Sequence, residues 1–528
     1  MKRLFVNGAL YSGWKLKADS IAVSRGTIID IGPKSKLLGL KRHGFTIVDM
    51  KKKAVLPGFI DSHVHLLETG YNLLSLDLSG LDSLAEVLAR IERYAKRVPI
   101  GNWVTGRGWD RNLWGEEFPN KSMLDRVCPD QPALFFSKDG HAAWVNSMAL
   151  QQTGVGEFTP EPEGGSIRRA RDGSPTGILF DNAIDLVRHS IPAPTREFDM
   201  KALEKAVAKF VKLGITGVAD CDIIADRLGL FLEAAQRGKL KHRVLMMLAP
   251  EDVDSAAELS LRTGYGNDYV TIGPVKLYMD GSLGSQTAWM HSPYEGRPDY
   301  SGISTLTHDQ LEMYFEKTHM HRMSLAVHAI GDRANTELLD FFGRKQAVSR
   351  KLGLRHRIEH AQLLRKGDIP KFKKYDVAAS MQPIHIIADR DVADRHWGPR
   401  SKLAYAFNSL LASGSRLGFG SDSPVEDPNP LAGIYAAVAR KKPGDPRPPW
   451  YPEQAIEPKQ AVECYTRGSA SICWWEGKAG ELAAGAWADF VILSDDIFKI
   501  ALEKIPQAKV LATIVGGEIV YIDSSFRL

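Results

Sequence analysis

The ten residues LPGFIDSHVH, at positions 56–65, decide the architecture of this chain. An apolar run that ends in His-x-His is typical of a buried β-strand that leads into a site. Because side chains alternate between the faces of a strand, His63 and His65 point the same way, with Cα atoms about 6.5–7 Å apart. Two imidazoles on one rigid element can chelate one divalent ion, and other elements then complete its coordination shell. The stretch therefore predicts a metal site at the end of a buried strand.

The composition is that of a globular protein with a large core. The 528 residues are 44% hydrophobic and 25% charged, with a formal net charge of +5, and two or three structural units are expected. The short basic runs at 51–53 and 440–442 indicate solvated surface rather than nucleic-acid sites. No stretch reaches the ~18 uninterrupted apolar residues of a membrane span, and Asn7 and Gly8 come too early for a signal peptide. The four cysteines form no C-x-x-C pair, so we expect a cytoplasmic protein without a disulfide framework.

Strand-like apolar runs separated by helical periodicity occupy the middle of the chain. They predict eight strands, at residues 56–65, 214–220, 243–248, 274–280, 324–328, 356–360, 377–381 and 417–422. Most are spaced for one intervening helix, and 203–213 and 309–319 are two such helices. The pattern indicates an α/β fold, a (β/α)8 TIM barrel.

Two parts of the chain fall outside this repeat. Residues before about 55 and after about 480 contain short strands broken by turns, which predicts one β domain built from both termini. About 150 residues separate the first two barrel strands, too many for one βα unit, so an inserted lobe is expected. The expected domains are 1–55 with 480–528 for the β domain, 56–75 for barrel strand one, 76–199 for the lobe and 200–479 for the rest of the barrel.

Further potential ligands lie toward the same ends of the predicted strands, where barrels of this type have their active sites. Lys276 lies on strand four, and His328, His360 and Asp422 end strands five, six and eight. Imidazole and carboxylate ligands suit Zn²⁺ first, with Mn²⁺, Fe²⁺ or Ni²⁺ as alternatives.

Lys276 needs a separate explanation, because a protonated ammonium cannot bind a cation. Carboxylated by CO₂, its nitrogen would carry a carbamate able to bridge two ions. The first ion would then be held by His63, His65 and Asp422, and the second by His328 and His360. The alternative is a salt bridge from Lys276 to Asp280 or to another carboxylate, with one ion per chain.

Such a centre predicts hydrolysis of an amide-like or ester-like bond. Two ions that share a water lower its pKa toward neutrality and polarise a carbonyl oxygen, so the nucleophile is a metal-bound hydroxide. Asp422 is suited to accept the proton of the attacking water and to pass it to the leaving nitrogen, as a general base and then a general acid.

Several motifs together resemble the amidohydrolase superfamily, in its YtcJ-like branch (amidohydrolase family 3). They are IDSHVH at 60–65, KLYMDGS at 276–282, HAIGDRA at 328–334, RIEH at 357–360, GSDSP at 420–424 and GAWADFV at 485–491. The resemblance implies a barrel with a small β-sandwich of both termini and hydrolysis of non-peptide C–N bonds. It implies the same metal ligands, although related branches vary Lys276. N-substituted formamides, or N-acyl amines, become a candidate substrate class, since fold alone does not define the substrate.

The expected lobe carries two segments similar to ones typical of the branch, residues 106–110 and 139–146. His141 is a candidate catalytic residue that would donate to a substrate carbonyl or hold the lobe over the pocket, and packing beside Trp144 is the alternative. Trp109 and Arg107 line the pocket in one interpretation and pack in the core or on the surface in the other.

Other functions of the same fold stay open at this point. Mononuclear deaminases of the superfamily have a glutamate three residues after the histidine of strand five, where this chain has Gly331, so amide hydrolysis is favoured over a deaminase. A cyclic-amide hydrolase and a non-catalytic binding or scaffold protein are further alternatives. We expect a small-molecule substrate, no nucleic-acid or membrane partner, and a homodimer.

Overall fold

The structure is a computed structural model in which two compact units can be distinguished. It describes residues 2–12, 15–115, 117–138, 140, 142–162, 164–222 and 226–528. One unit comprises Met1–Leu66 with Val207–Leu528, and the other comprises Leu67–Ala206. In the described part of the chain, every helix is too short or too polar to cross a membrane.

The larger unit contains a barrel of eight parallel strands. In spatial order they are Phe59–Val64, Ile215–Asp220, Arg243–Leu248, Val270–Tyr278, Leu325–Ala329, Arg357–His360, Ala378–Met381 and Leu417–Phe419. Hydrogen bonds between strand one and the segment after strand eight nearly close it: Asp422 N–H donates to the carbonyl of His63, and His65 N–H to that of Ser423, each at 2.8 Å. The predicted TIM barrel is confirmed.

Burial explains why these segments are strands. Nearly every residue in them is buried on both faces, as expected of a parallel sheet covered by helices. Strand four begins four residues before the start of the expected 274–280 and ends two residues before its end, and Pro274 lies inside it beside a register shift in the pairing with strand three, a position that proline tolerates.

Helices follow or precede most of the strands. The segments expected to be helical at 203–213 and 309–319 lie within Arg196–Lys212 and His308–Met320. The other helices between the second strand and the C-terminal sheet strands are Arg227–Gln236, Val253–Glu258, Asp332–Leu352, Ile369–Tyr375, Ile386–Trp397, Phe407–Ala412, Pro430–Ala439, Pro458–Glu463 and Ser469–Ile472.

Strands from both termini form two further sheets in the larger unit. One consists of Thr27–Gly32, Ser20–Ser24, Lys2–Val6 and Thr46–Asp49, and the other of Glu518–Ile522, Val510–Val515, Phe490–Leu493, Ala54–Pro57, Ala9–Ser12 and Lys15–Ala18. Apolar residues of both sheets share one core, in which the rings of Phe5 and Phe490 meet edge to face at 4.9 Å. Both ends of the chain thus contribute to one packed β structure.

The smaller unit contains a sheet of six strands with helices beside it. The strands are Gly165–Arg169, Pro175–Asp181, Ala142–Val145, Ala133–Ser137, Val104–Trp109 and Leu76–Asp77. The helices are Leu84–Ala95, Lys121–Val127, Ser147–Thr153 and Asp185–Arg188, and Leu66–Leu74 begins at its boundary. Apolar clusters form its core.

Candidate active site

Asp422 brings together the two histidines of strand one. Its Oδ1 lies 3.5 Å from Nε2 of His63 and 3.3 Å from Nε2 of His65. The hydrogen bond from its N–H to the His63 carbonyl places it there, with the backbone of Asp422 in the left-handed region at a φ of 60°. The His-x-His pair and the carboxylate after strand eight therefore meet as the sequence predicts.

His360 completes a cluster of donors suited to a divalent ion. Its ring lies 4.8 Å from the ring of His63, and one donor atom from each of His63, His360 and Asp422 lies within 4.8 Å of the others. The three side chains are buried. Imidazole nitrogens and a carboxylate oxygen this close together are donors suited to divalent ions.

A buried carboxylate orients His63. Glu359 Oε2 lies 2.6 Å from His63 Nδ1, and because a carboxylate only accepts hydrogen bonds, Nδ1 carries the proton and Nε2 presents its lone pair. Glu359 is itself held by Arg357, whose Nη2 donates to Oε2 at 2.9 Å. Burial opposes the charge of Glu359, but the Arg357 guanidinium and His63 hold the pKa of this carboxyl well below its usual range.

The other two imidazoles are oriented in the same way by different elements. Nδ1 of His65 lies 3.0 Å from Asp222 Oδ1, just after strand two. Nδ1 of His360 lies 3.0 Å from Oε1 of Gln382, just after strand seven. All three Nδ1 atoms thus have an acceptor, and the Nε2 atoms are the ones available to a metal.

His328 presents its other ring nitrogen. Its Nε2 donates to the carbonyl of Gly281 at 3.0 Å, so Nδ1 holds the lone pair. The ring lies 4.5 Å from that of His360. His328 is therefore placed for a second group of ligands beside the first.

Lys276 is buried in the wall of the same cavity, with 1% of its surface exposed. Its Nζ lies 5.0 Å from the ring of Tyr278. The expected alternative was a salt bridge to Asp280, but that carboxylate accepts hydrogen bonds from backbone N–H groups after strands four and five, at 2.8–3.0 Å. No ion pair within 4.0 Å joins Lys276 to a carboxylate of the described residues.

Burial keeps the imidazoles of His63, His328 and His360 neutral. It lowers the pKa of His63 and of His328 to about 4, and the charge of Lys276 acts in the same direction. Burial opposes ionisation of Asp422, but the neighbouring side chains of His65, His63 and His360 hold its pKa well below the usual range. Neutral imidazoles and an ionised carboxylate are the forms that bind metal ions.

These side chains line one cavity of about 420 Å³ at the C-terminal ends of the strands. Its wall also contains His385, which the sequence analysis did not single out. Nε2 of His385 lies 3.8 Å from Asp422 Oδ2 and has no hydrogen-bond partner among the described residues. A larger cavity, of about 620 Å³, lies at the opposite end of strand eight around Arg416 and Arg467, and it contains none of the predicted ligands.

The candidates from the expected lobe have a different outcome. His141 lies outside the described residues, so its role stays a prediction. Trp109 is buried in the core of the smaller unit, where its Nε1 donates to the carbonyl of Phe135 at 2.7 Å and its ring meets that of Trp144 edge to face. The packing interpretation of Trp109 therefore applies.

The barrel and its cluster of donors define a metal-dependent hydrolase. Residues 46–521 match the amidohydrolase family, and the chain belongs to it. YtcJ of Bacillus subtilis (strain 168), which carries the name amidohydrolase, is 32% identical over 99% of this chain and 99% of that protein. N-substituted formamide deformylase of Arthrobacter pascens is 27% identical over 96% of this chain and 95% of that protein. An uncharacterized metal-dependent hydrolase from Pyrococcus horikoshii OT3 has a TM-score of 0.82 and 30% identity, with 95% of this chain and 99% of that chain covered.

Proposed function

We propose that this enzyme cleaves an amide-type C–N bond in a small non-peptide molecule, of the N-substituted formamide or N-acyl amine class. The observation that carries the proposal is the position of Asp422, beside the two strand-one histidines and in the wall of the cavity. The likeness to a formamide deformylase supports the choice of bond.

We propose that the site holds two divalent ions, most suitably zinc, on the donors that line the cavity. His63, His65 and Asp422 would hold one ion, and His328 with His360 the other, with a carboxylated Lys276 between them. The isolation of Lys276 from the described carboxylates supports this arrangement over a salt bridge. When bound, such ions activate water and polarise a carbonyl oxygen.

The protein's own side chains would move the proton. As water adds to the carbonyl carbon, Asp422 accepts its proton and then delivers it to the leaving nitrogen, so that the C–N bond breaks and an acid and an amine are released. His385, 3.8 Å from Oδ2 of Asp422, is a neighbouring donor for that carboxylate or for the substrate oxygen.

The surroundings of Gly331 argue against the deaminase alternative. A Cβ atom added there would lie 2.0 Å from the carbonyl oxygen of Trp289, so the backbone leaves no room for the glutamate that deaminases use to shuttle protons. A non-catalytic scaffold is disfavoured because every predicted ligand that is described lines one cavity.

We also propose the domain organisation expected from the sequence. The two terminal sheets would form the β-sandwich of residues 1–55 and 480–528, and the lobe of residues 76–199 would be an insert between barrel strands one and two. A small molecule is the proposed substrate, and the proposed assembly is a homodimer.

The test is a hydrolase screen with metal-loaded protein and a matched variant. N-formyl and N-acyl amines are offered to the wild type and to Asp422→Asn, and released amine is measured together with bound metal. Turnover of at least one amide by the wild type, lost in the variant, is expected. A wild type that holds metal but cleaves none of the amides would overturn the proposal.

A further inference from the structure

A second carboxylate, separate from the metal ligands, lines the cavity. Asp389 lies in the helix Ile386–Trp397, four residues after His385, so it is about 6 Å further along the helix axis. Among the described lining residues, Asp389 and Asp422 are the carboxylates and Lys276 is the cation. If Asp422 and a carboxylated Lys276 bind metal ions, Asp389 is the remaining charged side chain among the described residues of this wall.

Two buried side chains hold Asp389 in place. The hydroxyl of Tyr405 donates to Oδ2 of Asp389, and Nε2 of Gln362 donates to the same oxygen at 2.8 Å. Tyr405 and Gln362 are joined by a backbone hydrogen bond of 2.8 Å, and each is 98% or more buried. The carboxylate is therefore fixed through one oxygen by a rigid pair.

The second oxygen has no such partner. Oδ1 of Asp389 accepts no hydrogen bond from the described residues and is not fully buried, so it is open to water or to a bound molecule. A carboxylate that lines a cavity and is fixed through one oxygen can bind a cationic nitrogen through the other, in a charge-assisted hydrogen bond.

We propose that Asp389 is a specificity residue that binds a protonated nitrogen in the amine half of the substrate. The substrate class is thereby narrowed to acylated molecules with a second, cationic amino group, such as mono-acylated diamines. This inference rests on the proposed hydrolysis of an amide. It also implies discrimination against substrates whose amine half carries a carboxylate, because two like charges would meet at this wall.

The test compares two ligands that differ in one charge. N-acetyl diamines of increasing chain length are paired with N-acetyl alkylamines of the same length, and binding to the metal-loaded protein is measured by calorimetry beside turnover. The wild type is expected to bind the diamine derivative roughly 10- to 100-fold more tightly at the best length. Asp389→Asn, which keeps the shape and removes the charge, should abolish the preference without changing the affinity for the neutral ligand.

Asp391→Asn is the matched control. Asp391 lies in the same helix but its side chain is 64% exposed and pairs with Arg447 at 2.7 Å, so the preference should survive its neutralisation. The inference would be overturned by a wild type that binds both ligands equally, or by an Asp389→Asn variant that weakens the binding of both ligands equally. The wild-type comparison alone is decisive if the variant does not fold. Selective binding without turnover of any amide would leave the subsite standing and contradict the proposed reaction instead.

Discussion

The buried triad of Arg357, Glu359 and His63 offers the sharpest test of how the fold prepares its metal ligands. Glu359→Gln keeps the side-chain shape but removes the charge that faces two donors. The amide oxygen can still accept from Arg357, but the amide NH₂ group then faces Nδ1–H of His63 across the 2.6 Å that separated the original pair. Either the ring turns or it changes tautomer, and both outcomes misdirect Nε2.

Two magnitudes follow from this geometry. Arg357 is 1% exposed, and leaving such a charge without its partner costs about 3–5 kcal/mol in the free energy of unfolding. Loss of the acceptor behind a ligating histidine weakens metal affinity by roughly 10- to 100-fold. Denaturant unfolding of the metal-free protein measures the first quantity, and competition with a chelator measures the second.

Glu476→Gln provides the control. Glu476 pairs with Arg355 at 2.5 Å, but its side chain is 44% exposed, so the same substitution should cost no more than about 1 kcal/mol and leave metal affinity unchanged. If Glu359→Gln unfolds at the wild-type denaturant concentration and competes for metal as the wild type does, then the assigned role of the triad is wrong.

Three further outcomes are expected. Asp422→Asn should lower turnover by at least roughly 10²–10⁴-fold while losing less metal than His63→Ala, and near wild-type turnover would refute its role as acid and base. Lys276→Ala should lose activity and much of the second ion, with partial rescue of both by formate or acetate; two ions per chain in the unrescued variant would exclude the carbamate. As the pH falls from 6.5 to about 4, the His242→Leu variant should lose less of its free energy of unfolding than the wild type does. Burial lowers the pKa of His242 to about 4, and both of its ring nitrogens lack partners among the described residues. Since the unfolded chain takes up that proton and the folded chain does not, the wild type loses up to about 3 kcal/mol over this range, and equal denaturation midpoints for both proteins at pH 5 and pH 7 would contradict the assignment.

The barrel was predictable because its strands have a local signal. The apolar run before His63 and the run before Asp422 can each be recognised within ten residues. Because active sites of such barrels lie at the C-terminal strand ends, these runs also predict where the ligands meet. Lys276 and His360 could be placed by the same argument. Each predicted segment therefore overlaps an observed strand, but the bounds differ: strand one is Phe59–Val64 rather than 56–65, strand four is Val270–Tyr278 rather than 274–280, and strand eight is Leu417–Phe419 rather than 417–422.

The side chains that support the ligands carry no comparable signal. Asp222, Gln382 and Asp389 are polar residues in or beside turns and helices, and nothing in the local pattern tells them from solvated ones. Their roles depend on which strand ends become neighbours in three dimensions, which periodicity does not encode. His385 was missed for the same reason, although its position two residues after a Gln-Pro turn at the end of strand seven was visible.

The two backbone hydrogen bonds that link His63 to Asp422 and His65 to Ser423 have a consequence for assembly of the enzyme. They join the first barrel strand to the segment that follows the last, so the carboxylate reaches the histidines only when the chain has brought its most distant barrel segments together. A partly folded barrel with strand eight unplaced lacks a ligand and should bind ions weakly. Metal present at a thousandfold excess over its dissociation constant then adds about 4 kcal/mol to the closed form alone. Metal binding would thus stabilise the fully closed barrel over partly folded forms, before any substrate binds.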